Sequence, residues 1–127
     1  MKQTLPVKEG TTALITVTLV DATGAPIQLT SISTATLTLW NGEMAEGGSN
    51  VINSRTAQNV KNANNCTIHA TSGLFTWTVQ AADATVIDAV RALGDTELHL
   101  FRLTVTHSAS GSPFSELYGM RVERVQP

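Results

Sequence analysis

The chain has 127 residues, 42% of them hydrophobic and 14% charged, with a formal net charge of −2. This is the length and apolar content of one ordinary globular domain, too hydrophobic for a disordered chain and too poor in charge for a coiled coil, so Thr, Ser, Asn and Gln must supply the polar surface. Lys and Arg are scattered singly, which removes nucleic acid from the expected partners, and the one cysteine, Cys66, excludes an intrachain disulfide.

The first ten residues, MKQTLPVKEG, contain no apolar run of signal-peptide length, and no run of about eighteen uncharged apolar residues follows anywhere. A protein made in the cytoplasm, with no membrane partner, is the expectation. A short strand is expected over Thr4 to Val7. From Thr12 to Val20, Ala13, Ile15, Val17 and Leu19 alternate with mostly threonine, the period-2 pattern of a half-buried strand. Asp21-Ala22-Thr23-Gly24 reads as a tight turn, and Pro26 favours an edge or a bend. Thr34 to Trp40 repeats the alternation, with Ala35, Leu37 and Leu39 inward and the threonines outward.

Asn41 to Asn50 and Thr56 to Asn65 are polar, rich in Gly and Asn, and aperiodic, which predicts two long loops of the kind that carry contacts. Short strands are predicted at Val51 to Ser54 and Cys66 to Ala70. Phe75, Trp77 and Val79 form a third clear alternation, with Trp77 as the expected central aromatic. Ala84 to Leu93 changes period: Val86, Ile87, Val90 and Leu93 lie at helical spacing, Asp83 is placed to cap the start and Gly94 the end. Phe101 to Val105 is a further strand, and near Leu117 to Val125 Tyr118, Met120 and Val122 face one way, Arg121 and Glu123 the other. The sum is an all-β chain: one domain over 1–127, an Ig-like antiparallel sandwich of two sheets and seven to eight strands, with one short helix at about 84–93.

Chemistry-bearing patterns are sparse. His69, His99 and His107 fall on separate strands without a Cys or His at metal-ligand spacing, so each is read as a surface or strand-capping residue and no metal or cofactor is expected. The acidic residues sit mostly where turns and strand ends are predicted. Gly-rich pieces at 46–49 and 108–112 lack the lysine and following helix of a phosphate-binding loop. Asn65-Cys66-Thr67 matches a glycosylation sequon, read as accidental in a chain without an export signal, and Cys66 reads as a small core hydrophobe. No nucleophile, base and orienting group can be named together, so no enzyme is expected.

Trp40 departs from this pattern. Parity puts it on the threonine side of its strand, leading into Asn41-Gly42 and the loop holding Met44. Two readings follow: a bulge turns the ring inward to cap the sandwich, or Trp40, Asn41 and Met44, with Asn59 and Asn62 of the second loop, form a protein interface. Truncating the 41–50 loop should then leave the fold intact and weaken assembly.

The stretch VKEGTTALITVTLVDATGAPIQLTSISTATLTLW is similar to the N-terminal module of bacteriophage baseplate upper proteins and to small Ig-like head and tail proteins. It shares their Gly-Thr start, Thr-rich strands and turn of the Asp-x-x-Gly-x-Pro kind. SGLFTWTVQAADATVIDA, ELHLFRLTVTHSASG and LYGMRVERV resemble the later parts of the same modules. The resemblance implies a non-catalytic virion structural protein: a capsid decoration protein or a neck, tail or baseplate adaptor. Such a protein would bind other virion proteins, stand in a homo-oligomer or symmetric array, and be assembled in the bacterial cytoplasm. Baseplate upper proteins usually carry further domains, whereas this chain stops at Pro127, and a free-standing domain suits a capsid decoration protein, or a small neck or tail adaptor, at least as well. The rival reading is a carbohydrate-binding or adhesin module in which Trp40 or Tyr118 stacks on a sugar ring.

Overall fold

Threonine alternating with aliphatic residues gives the chain two layers, each apolar mainly on its inner face. The structure, a computed structural model, describes residues 2–3, 6–86, 93–107 and 113–125. Its strands are β1 (Lys2–Gln3), β2 (Val7–Lys8), β3 (Ala13–Thr18), β4 (Ile32–Asn41), β5 (Gln58–Asn59), β6 (Cys66–Ile68), β7 (Leu74–Val79), β8 (Thr96–His107) and β9 (Pro113–Glu123). The larger sheet runs β5-β4-β8-β9, and the far side of β9 takes both β1 and β2; the smaller sheet runs β3-β7-β6. This is the neighbour order of immunoglobulin-type sandwiches, and it settles a strand order that turn residues alone left open. Pairing is antiparallel except at β1 and β2, which lie parallel to β9 through Lys2↔Tyr118 and Val7↔Val122.

The parity read from the sequence is the parity of the core. Ile15, Leu37, Leu39, Phe75, Trp77, Val79, Phe101, Leu103, Val105, Tyr118, Met120 and Val122 are all buried between the sheets. Trp77 meets Phe101 edge-on with centroids 5.1 Å apart, and Phe101 stacks on Tyr118 at 5.0 Å, so one aromatic row crosses the sandwich. The β3–β7 side is closed by Gly73. With φ at +70°, a Cβ there would lie 2.5 Å from the Leu19 carbonyl oxygen, while the Gly73 carbonyl accepts Leu19 N–H at 2.7 Å.

Two elements differ from expectation, and a third lies mostly outside the described residues. The predicted helix at 84–93 falls largely on 87–92, outside the described residues; of the rest, Ala84 ends a 3-10 turn over Ala81–Ala84 and Thr85 is extended. Val51 to Ser54 forms no strand beyond one bridge, Trp40↔Val51, because Asn53 and Ser54 adopt left-handed φ of 53° and 55°. Strand β8 is much longer than its apolar stretch: it continues through Glu97 and His99, which take inward positions reserved in the rest of the strand for apolar side chains.

Candidate protein-interaction edge

At one end of the core the inward positions are polar, and there the charges answer each other. Arg55, in the connection between β4 and β5, is buried with its guanidinium 5.4 Å over the Trp77 ring. Its Nε donates to Asp83 Oδ1 at 2.6 Å and Nη2 to Asp83 Oδ2 at 3.0 Å, while the remaining N–H groups reach Gln58 Oε1, Asn64 O and Asn65 Oδ1. Asp83 also accepts from Gln80 N–H at 2.8 Å and Asn53 Nδ2 at 2.9 Å. Asp83 therefore does not cap a following helix; it is the reciprocal partner of Gln80 in the capping box of the 3-10 turn.

His99 is fully buried, not a surface residue. Its Nδ1 lies 3.1 Å from the Asp83 carbonyl and its Nε2 2.7 Å from Glu97 Oε1. A carbonyl only accepts, so Nδ1 donates to it, and Nε2 is left to face the Glu97 carboxyl. His69 is exposed and its Nδ1 accepts from Thr71 and Ser72 N–H, capping the turn after β6. His107 is paired in β8, and its side chain lies outside the described residues. Cys66 is buried, and burial pushes its thiol from 9.0 up to about 12, with Arg55 lowering it and Asp83 raising it by less. Among the described residues no three His, Cys, Asp or Glu side chains could hold a metal ion, and no helix is long and apolar enough to cross a membrane.

The interface residues expected in the loops do not form one exposed patch. Trp40 is 3% exposed without any bulge: it stays in register opposite Leu100, on the outer face of the larger sheet and apart from the central core. The connection after β4 folds back over it. Gly42 permits this, since a Cβ there would meet Leu100 Cγ at 2.7 Å, and the loop is strapped to β8 by Arg102 Nε and Glu46 Oε1 at 3.2 Å. Asn41 is buried too, its Oδ1 taking Glu43 N–H, whereas Met44 is 59% exposed. Asn59 is exposed on β5 opposite Thr36, and Asn62, also exposed, turns its Oδ1 to Ile68 N–H at 2.7 Å.

The open surface lies elsewhere, along β3. Thr78 N–H bonds outward to Asn65, so on β7 the even residues face β6 and the odd ones face β3. Ala13, Ile15 and Val17 are thereby the residues of β3 bonded to β7, and the backbone groups of Leu14, Thr16 and Thr18 point to an edge that no described strand covers. Beside this edge a groove of about 700 Å³ runs between the sheets, lined by Ala13 to Thr18 on one side and by Lys2, Pro6, Val7 and Tyr118 on the other. The Tyr118 hydroxyl is buried without a hydrogen-bond partner among the described residues, and burial, with Glu116 adding to it, pushes its pKa from 10.0 to about 12. The sequence contained one signal for this edge: a strand of threonine and aliphatic residues with no charge or proline to guard it. No protein-family model, curated protein or solved structure matches the chain.

Proposed function

We propose that the chain is a non-catalytic assembly module of a bacteriophage particle, a decoration protein or a neck, tail or baseplate adaptor, that binds other virion proteins. The observation carrying this is the β3 edge that no described strand covers, six uncharged residues beside a largely apolar groove, which is the geometry of strand addition. Its outer face and that of β7 present Thr16, Thr18, Thr76 and Thr78, so neighbours can pack against it without charge repulsion. Arg55, Asp83, Glu97 and His99, the buried charged and imidazole side chains among the described residues, are spent on one another beneath the surface, where they hold the fold together. The sugar-binding reading has less to stand on, because Trp40 and Tyr118, the rings it needs, are both buried.

Antibodies against the recombinant protein, applied with gold to purified particles of the phage carrying its gene, test the assignment. Label over the heads identifies a decoration protein, and label at one end a connector or baseplate part. Particles in which mass spectrometry finds none of the chain end the virion reading.

A further inference from the structure

We propose that a second copy of the chain covers the β3 edge: β3 pairs antiparallel with its counterpart about a two-fold axis at Thr16, fusing the two three-stranded sheets into one. This rests on the reading of the chain as a module that assembles through its sheet edges. In that register Leu14 faces Thr18 of the second copy and Thr16 faces Thr16. These are the positions whose backbone N–H and C=O groups point away from β7, so each facing pair exchanges two hydrogen bonds.

Charge decides the occupant. Among the described residues the groove and edge carry a single charged side chain, Lys2, whose Nζ already lies 3.5 Å from Glu116. A charged strand laid along Ala13 to Thr18 would lose water and find no counter-charge. The strand that pairs there is uncharged over its whole length, and β3 itself meets that requirement in a self-complementary register. Among the described strands the other edges offer less: β6 has three residues, β5 has two, and the outer side of β9 is taken by β1 and β2. Beta3 also lacks the lysine, proline or bulge that normally blunts an edge.

Side chains agree with the backbone. Leu14, 65% exposed, comes beside Thr18 of the second copy, whose own neighbour on β7 is Leu74, so two leucines that face water share one outer patch. On the groove side the half-buried Ala13 and Val17 are shielded. The contact is the size of one strand edge, below the roughly 1,200 Å² of a standard interface, so association depends on concentration and is reinforced in a particle by many copies.

Sedimentation velocity from micromolar to near-millimolar protein tests it. The wild type is expected to pass from monomer to dimer. Thr16→Lys places two ammonium groups opposite each other across the axis, and Thr16→Glu two carboxylates; each is expected to weaken association by roughly tenfold or more while thermal unfolding stays unchanged, because Thr16 is exposed. Mixing the two variants should restore the dimer as a mixed pair. A wild type that remains monomeric, a Thr16→Lys variant that dimerises as the wild type does, or a mixture that stays monomeric overturns the proposal. Monomeric protein that still labels particles removes the second copy from this edge and leaves the assembly reading standing, with another uncharged strand as the occupant. A dimer absent from particles does the reverse.

Discussion

Arg55 shows how much of this fold hangs on one side chain. All five of its N–H donors are matched, by side chains and a carbonyl from the 53–65 loop and from the turn after β7. Arg55→Met is expected to cost roughly 3–5 kcal/mol in urea unfolding, because it leaves the Asp83 carboxylate buried with only neutral donors. Arg55→Met combined with Asp83→Asn should lose less than the sum of the single changes. The two were not legible as a pair: they stand 28 positions apart, Arg55 between a predicted strand and a predicted loop and Asp83 at a position read as a helix cap. The asparagines around them were more telling, since Asn53, Asn62, Asn64 and Asn65 all take left-handed φ, which Asn tolerates better than most residues.

Strand β8 carries the same lesson at the level of an element. Phe101 to Val105 reads as a strand because the apolar period is intact, whereas Glu97 and His99 break it, and a pattern built on hydrophobicity stops there. The ladder to β4 and β9 nevertheless continues, because each polar side chain finds its partner in the other. Glu97→Leu leaves His99 Nε2 unpaired and should cost about 1–3 kcal/mol; Glu97→Gln, whose amide can donate to Nε2, should cost clearly less, and paired thermal melts at neutral pH distinguish the two. The loop after β4 behaves as a lid over Trp40 and not as a free arm. Replacing 43–50 by a short linker is therefore expected to red-shift tryptophan emission and destabilise the protein, against the expectation that the loop is dispensable for folding.

Across the whole molecule, the sandwich was legible because nearly every core position follows a period of two, a local property. Which strand lies beside which was not, because the two sheets are sorted by long-range pairing, and a β3 edge that no described strand covers emerges only once β1 and β2 are seen to join β9 instead. Buried groups also set the alkaline limit. Cys66 and Tyr118 have ordinary values of 9.0 and 10.0 and are both raised to about 12 in the folded chain, so between these limits the unfolded state loses protons that the native state keeps. Stability should fall as pH rises from 9 to 12, and Cys66→Ala should remove the part of that fall that begins near 9; urea titrations at a series of alkaline pH values measure both. The parallel seating of β1 and β2 on β9 has a mechanical side. Tension applied between the front of β1 and the back of β9 pulls parallel neighbours in opposite directions, so the bonds around Val7↔Val122 and Glu9 N–H to Glu123 O are loaded together in shear and not peeled apart one by one. A block held this way resists being drawn out lengthwise better than its short terminal strands suggest.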